Sequence, residues 1–456
     1  MAARTAELPV PQRCTLVLPS SGAFDSRAWR IASTLAARGH NVTVMARLEP
    51  GVAANETHPA GYRIIRVPVS SIAGLPGPLR LVVQRLRRRS TPGVEGVARA
   101  TPPIAASGSG GSTGRGGRGR VVGRLRSAWS AVVRLAAIAL TVRSQRIATR
   151  AAAPPADIVH AMAYMGIPVG LDLGRRDMAP VIYDARDIYV DAANIARLPG
   201  PARRLFAQVE RRWARRASRV ATVNDPYADV MEQRFGVPRP LIVMNCSYRR
   251  DEPAVPPRLF HERLGLDRDT RVVLYQGGFS RDRGIEQLIE GLPLYPDGTA
   301  LVLLGYGSLQ AELERRAAEP GLAGRLFVVP AVAPTDLLDW VGSADVVAMP
   351  IQPSTLNHRL TTPNKLFEAM AVGVPVVASD LPGMAGIVRD TGCGVLCDPT
   401  SPAAITAAIR SILDAPEPER LAFRQRSLAA AHGRYSWEAQ AKTLIAEFGR
   451  LTGRPW

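Results

Sequence analysis

Lysine is nearly missing from this chain. Of its 58 basic residues only Lys365 and Lys442 are not arginine, and 39 acids leave a net charge of +19. Such a pervasive arginine bias matches GC-rich coding, so arginine abundance alone says little about function. Cysteine is scarce as well. Cys14, Cys246, Cys393 and Cys397 are scattered, and no histidine or further cysteine lies at zinc spacing beside the last two. That excludes a disulfide scaffold and a zinc module and points to four reduced, buried thiols in a reducing compartment. Long apolar runs are absent. No window approaches the roughly 20 apolar residues of a membrane span, and the nearest, Ala128 to Val142, is interrupted by Arg134. The first residues carry no apolar stretch of the kind a signal peptide needs. The expectation is a soluble, cytoplasmic protein, at most peripheral at the inner face of a membrane.

What is present begins with length. A chain of 456 residues exceeds what one hydrophobic core supports, so two domains are expected. Its charge is unevenly placed: between Arg80 and Arg150 stand 15 arginines and one acid, Glu95. The Gly/Ser-rich run Ser107–Arg120 cannot bury a core and reads as flexible. Val121 to Arg150 reads as a basic amphipathic helix with Trp129, Val132, Val133, Ala136 and Leu140 at helical spacing. Its arginines form either a solvated face or, with Arg85 and Arg87 to Arg89, a dock for an anionic membrane surface.

Elsewhere strands alternate with helices. Thr15–Leu18 is an apolar strand, Pro19–Gly22 a loop, Ala28–Arg38 a helix stopped by Gly39, and His40–Met45 a second strand. This opening predicts a doubly wound parallel sheet. Further strands are Asp157–His160, Val181–Asp184, Val220–Asn224 and Leu241–Asn245, with a basic helix over Pro201–Ser218. The proline-rich, charged Ser247–Asp269 stretch reads as a linker. A second set follows: Val272–Gln276, Leu301–Leu304, Leu326–Val329, Asp345–Pro350 and Gly392–Leu396, with a final helix from Ser436. Gly277 and Gly278, before Arg283, allow the backbone to approach a phosphate while Arg283 brings a fork of donors to it.

The most informative segment is TTPNKLFEAMAVGVPVVAS, Thr361 to Ser379. It reads as cap (Thr361 or Thr362), helix from Pro363, left-handed stop at Gly373 and buried strand. Lys365 stands in the first helical turn, where the macrodipole disfavours a cation. A phosphate bound there would offset that cost; a surface lysine beside a solvated Glu368 is the alternative.

This segment resembles the donor-binding motif of the family 4 glycosyltransferases, retaining enzymes of the GT-B fold that use nucleotide-sugar donors. The resemblance implies an α/β architecture of two Rossmann-like doubly wound domains with an interdomain cleft and a C-terminal helix crossing back. Residues 1–247 would form the acceptor domain with a basic insert at 85–120, 248–268 the linker, 269–435 the donor domain and 436–456 the returning helix. The family's Glu-x7-Glu motif maps its second glutamate, which binds the ribose hydroxyls, onto Glu368; the first falls on Leu360. Pro363-Asn364-Lys365 resembles a variant form of the turn. By the same resemblance the donor is held by Gly22, Gly278, Arg283, Gly305, Gly307, Asn364, Lys365, Leu366 and Glu368. His160 would reach the cleft beside the reacting sugar, with His160, Arg283 and Lys365 as the catalytic groups. Asp184 and Asp187 would face the acceptor, and His358 could touch the donor. No metal-binding motif is read, and no metal or cofactor is expected. The implied activity is metal-independent transfer of a sugar from a nucleoside diphosphate to a saccharide, a lipid-linked acceptor or a small molecule. No nucleic-acid partner is expected. A sugar-nucleotide epimerase of the same fold, or a non-catalytic polyanion- or membrane-binding scaffold, are the alternatives.

Overall fold

The computed structural model of the protein describes residues 10–23, 25–71, 117–251 and 257–456. Two sheets organise them. The first contains β1 (Arg13–Val17), β2 (Asn41–Arg47), β3 (Asn55–Thr57), β4 (Arg63–Val67), β5 (Ile158–Met162), β6 (Val181–Asp184), β7 (Arg219–Thr222) and β8 (Leu241–Ile242), in the order β3-β4-β2-β1-β5-β6-β7-β8. All pairings are parallel except β3 with β4. The second contains β9 (Arg271–Phe279), β10 (Thr299–Gly307), β11 (Leu326–Pro330), β12 (Val346–Met349), β13 (Val376–Ser379) and β14 (Gly394–Cys397), all parallel, in the order β11-β10-β9-β12-β13-β14. Their central strands are buried along almost their whole length, as parallel strands covered on both faces must be. The chain reverses its direction of growth between β1 and β5 and between β9 and β12. In open α/β sheets the carboxyl ends of strands at such points form the ligand crevice.

The helix Ser26–Ala37 begins where Asp25 accepts a hydrogen bond from the Ala28 N–H, and it stops before Gly39 at φ +84°. The expected basic helix spans Gly117–Ala152. Its buried side differs from the expected stripe. Val133 and Ala136 are exposed, whereas Val142, Gln145 and Thr149 are buried and Leu135 and Ile138 pack against the first domain's core. The side chains of Trp129 and Val132 lie outside the described residues, as do Arg85 to Arg89 and the run 107–116; residues 117–120 are already helical. The stretch read as linker contains a short helix, Leu259–Leu264.

The last helix, Trp437–Thr452, lies against the first sheet's core: Trp437, Leu444, Ile445 and Phe448 pack with Leu16, Ile31 and Ile182, and Trp437 Nε1 donates to Thr34 Oγ1 at 2.8 Å. The four cysteines are free and buried. Among the described residues no helix is long and apolar enough to cross a membrane.

Candidate functional site

A cleft of about 870 Å³ opens between the two sheets, at the carboxyl ends of their strands. The second domain's side is built first by β9. Its last buried residues, Tyr275 and Gln276, lead into Gly277 at φ +118° and Gly278. Here β9 and β10 approach so closely that a Cβ on Gly305 would stand 1.9 Å from the Gly277 carbonyl oxygen. The Tyr275 hydroxyl donates to the Gly278 carbonyl at 2.9 Å and closes the turn. The chain then folds over Pro350. Asp282 adopts φ +66° and Gly284 φ +80°, and a Cβ on Gly284 would lie 2.1 Å from the Pro350 oxygen. That turn delivers Arg283 to the cleft wall.

Lys365 projects from the first turn of the helix Asn364–Ala371. The helix is not capped by threonine as expected. Pro363 is the N-cap and offers no side-chain acceptor. Thr361 ends the preceding helix, Leu356–Leu360, while Thr362 donates to the Gly383 oxygen at 2.6 Å and accepts from Asn224 Nδ2 at 2.8 Å. The helix N-terminus thus presents N–H groups with no side-chain cap, an arrangement suited to an anion. Lys365 Nζ sits 3.8 Å from the Tyr275 ring centroid, within cation–π range. Burial and the neighbouring Arg283 push the Lys365 ammonium down to about 7, against an upward pull from Glu368. Glu368 lies one turn on, where it accepts from Gln276 Nε2 at 2.7 Å. Burial raises its carboxyl above the usual range, while Arg30, Lys365 and Gln276 pull the other way. Arg30 comes from the first domain and is anchored by Asn245 Oδ1 at 2.8 Å.

Of the anticipated donor residues, Gly22, Gly278, Arg283, Gly305, Asn364, Lys365 and Glu368 line this cleft. Leu366 and Gly307 do not. Leu366 is fully buried in the second domain's core, since its helical position faces the sheet. Gly307 is packed on the Phe279 backbone, where a Cβ would meet the Phe279 oxygen at 2.3 Å. His160 also requires correction. It is 0% exposed, Nε2 lies 2.9 Å from Asp184 Oδ2, and its ring lies beside Phe448 of the last helix. Asp184 is equally buried and takes a bidentate pair from Arg27 at 2.7 and 3.0 Å. Burial pushes the Asp184 carboxyl up, but Arg27 and His160 outweigh this and hold it below the ordinary carboxylate range. His160, Asp184 and Arg27 therefore form an interior hydrogen-bonded cluster. Asp187 accepts from Asn357 Nδ2 at 3.2 Å, and His358 bonds to Ser354 Oγ at 2.9 Å; neither lines the cleft.

Sequence reasoning missed Tyr275 and Gln276, which read as the end of an apolar strand, and it missed Arg30. It also missed a seam between the domains. Asn357 Oδ1 accepts from the Ile188 N–H at 2.9 Å and the Tyr227 hydroxyl at 2.7 Å, and Asn224 Nδ2 donates to the Leu360 oxygen at 2.7 Å. Leu360, at the position of the motif's first glutamate, packs its side chain against the first domain's core.

Two doubly wound sheets facing a cleft that gathers Arg283, Lys365 and Glu368 define a GT-B protein. Residues 258–428 match the group 1 glycosyl transferases, and residues 93–246 match the glycosyl transferase 4-like domain. The chain belongs to this family, the family 4 glycosyltransferases. It is 33% identical over 198 residues to a D-inositol 3-phosphate glycosyltransferase of Xylanimonas cellulosilytica, covering 42% of this chain and 45% of that protein. It is 27% identical over 308 residues to the protein of the same name from Geodermatophilus obscurus, covering 64% and 66%. The chain thus spans less than two thirds of the length of these relatives. In fold it is similar to sucrose-phosphate synthase of Thermosynechococcus elongatus, with a TM-score of 0.69, 20% identity and coverage of 97% and 99%. It is also similar to Anabaena HepE in complex with UDP, with a TM-score of 0.61, 16% identity and coverage of 96% and 100%.

Proposed function

We propose that the chain is a retaining glycosyltransferase that binds a nucleoside-diphosphate sugar on its second domain and an acceptor against its first. The observation that carries this reading is the convergence of Arg283, Lys365 and Glu368 on one cleft. Glu368, held by Gln276, is placed to accept from vicinal ribose hydroxyls. Arg283, Lys365 and the uncapped helix N-terminus face the diphosphate. As the anomeric carbon–oxygen bond breaks, its electron pair leaves with the diphosphate, and these groups stabilise the developing charge. The acceptor hydroxyl oxygen forms the new bond to the same carbon, and its proton passes to the departing phosphate oxygen. The cations supply the electrostatic work, so transfer is proposed to proceed without a metal; activity retained in EDTA tests this. Catalysis is assigned to Arg283 and Lys365 and not to the buried His160. UDP is the first probe, because the fold neighbour HepE is known with UDP and with UDP-glucose.

The test is a thermal-shift series with UDP, GDP and the corresponding nucleosides, since a ligand of the folded state raises apparent stability. Arg283→Ala should weaken diphosphates far more than nucleosides. Equal losses for both refute the assignment. Incubation with UDP-sugars alone separates transfer from epimerisation, which needs no acceptor.

A peripheral membrane location has its own support. Exposed Arg143, Arg150, Arg175 and Arg216 surround two adjoining depressions that share Arg146, and Ile147 is 56% exposed among them. Basic side chains around an exposed apolar residue suit anionic headgroups. Sedimentation with anionic liposomes should fall on Arg143→Glu/Arg150→Glu substitution; unchanged binding removes the idea.

A further inference from the structure

The first domain's side of the cleft has a chemistry of its own. Trp29, on the helix Ser26–Ala37, meets His58 edge-on with ring centroids 6.2 Å apart, and His58 stacks on Tyr62 at 4.5 Å with an interplanar angle of 13°. A tight turn produces the stack. The His58 N–H donates to the Tyr62 oxygen at 2.8 Å, the Gly61 N–H donates back to the His58 oxygen at 2.8 Å, and Gly61 adopts φ +88°. All three rings line the cleft.

This wall is electrically quiet. His58 Nδ1 accepts from the Ala60 N–H at 3.1 Å, which leaves the proton of the neutral ring on Nε2. Burial lowers the His58 pKa, opposed by Glu56. The charged side chains beside the rings are already paired. Asp25 takes Arg186 Nη1 at 2.8 and 2.9 Å, and Arg66 Nη1 reaches Glu56 at 2.8 Å. Arg66 also donates to the Ser21 and Ala53 carbonyls at 2.9 and 2.8 Å, which saturates it further. Trp29 Nε1, in contrast, is buried without an acceptor. Enclosed in this way it is closed to a ligand, and the ring donor left open on this wall is His58 Nε2.

We propose that the acceptor is an uncharged ring, of the hexose or hexoside class, seated against Trp29 and His58, with a hydroxyl oxygen accepting from His58 Nε2. The inference rests on the glycosyltransferase reading above and names the substrate class of that same cleft. Aromatic faces bury the C–H face of a pyranose well, and the imidazole N–H of His58 adds a directional donor. A phosphorylated acceptor would bring between about one and a half and two negative charges to a wall whose described cations are already paired. Without a counter-charge the desolvation is unfavourable. The new bond joins the ring's hydroxyl oxygen to the donor's anomeric carbon while the diphosphate departs with its electron pair and the hydroxyl's proton.

Saturation-transfer NMR on the full chain with UDP present, using methyl glucoside against glucose 6-phosphate, tests this. Methyl glucoside should give signals and glucose 6-phosphate none. Trp29→Ala should weaken methyl glucoside about tenfold or more while UDP binding stays within about twofold of wild type. Trp29→Phe, which keeps a ring and guards against misfolding, should bind methyl glucoside between the two. Preference for the phosphate, binding of neither sugar, or Trp29 variants indistinguishable from wild type overturns the proposal and leaves the donor reading standing. Failure of wild type to bind any nucleoside diphosphate overturns the donor reading itself, and this inference with it.

Discussion

Lys365 Nζ rests 3.8 Å from the centre of the Tyr275 ring, and it does so in the first turn of a helix. The ring supplies the attraction that the helix dipole withholds. Burial and the proximity of Arg283 work against that attraction and hold the Lys365 ammonium down to about 7. A bound diphosphate favours the charged form and raises that value toward the ordinary lysine range of about 10.4. Between the two values the free site is largely deprotonated and the occupied site protonated. Binding therefore takes up a proton at pH 8, and affinity falls as pH rises across that window. Titration calorimetry of UDP in two buffers of different ionisation heat should show this uptake in wild type and none in Lys365→Met. Absence of uptake in wild type contradicts the assigned role.

Asp184 and Arg27 pair within the first domain, with Arg27 1% exposed and Asp184 fully enclosed. Asp184→Asn leaves a buried guanidinium without its counter-charge and should cost about 3–5 kcal/mol in urea denaturation. The sign with pH follows from the depressed folded value. The pair's contribution is complete above the unfolded aspartate value of about 4 and is lost as pH falls below it. Wild type should lose stability there more steeply than the variant; parallel curves would show that the pair contributes nothing.

The seam at Asn357 joins the domains without touching the cleft. Asn357→Ala removes acceptors from the Ile188 N–H and the Tyr227 hydroxyl and a donor to Asp187. The expected loss is about 1–3 kcal/mol of interdomain stability, read as an increased radius of gyration in small-angle scattering. UDP affinity should stay unchanged, since Arg283, Lys365 and Glu368 share one domain. A variant as compact as wild type argues that other contacts hold the domains together.

Gly305→Ala places a methyl 1.9 Å from the Gly277 oxygen. Backbone must move to admit it, at a cost of about 1–3 kcal/mol, and the displaced β9 turn carries Tyr275 and Gln276 with it. UDP binding should be lost in the thermal-shift assay while the chain still folds. Undiminished binding would mean that the close approach of β9 and β10 has no bearing on the site.

Much of this was legible in order of locality. The helix before Gly39, the apolar strands, and the left-handed stop at Gly373 (φ +71°) depend on neighbours a few residues away, and they form where expected. Arg283 and Lys365 could be singled out because glycines and a helix start lie beside them in the chain, and Glu368 through the family motif it matches. The errors share one cause, a competing partner distant in sequence. Thr362 could have capped its helix, but Asn224 and Gly383 claim its hydroxyl. His160 reads as the end of a strand, but the strand runs on to Met162 and turns its ring inward, onto Asp184 and Phe448.

The amino-acid order alone therefore determined which segments are strands and helices, where glycine lets the backbone close on itself, and which side chains carry the charge. Only the tertiary structure decided which charges meet. Nothing in the sequence beside Arg27 and Arg186 named their partners; both found carboxylates across the fold, while Arg283 was left facing the cleft. The reason is physical. Helix and turn preferences act within a few residues, whereas the pairing of a buried charge depends on what long-range packing brings within reach.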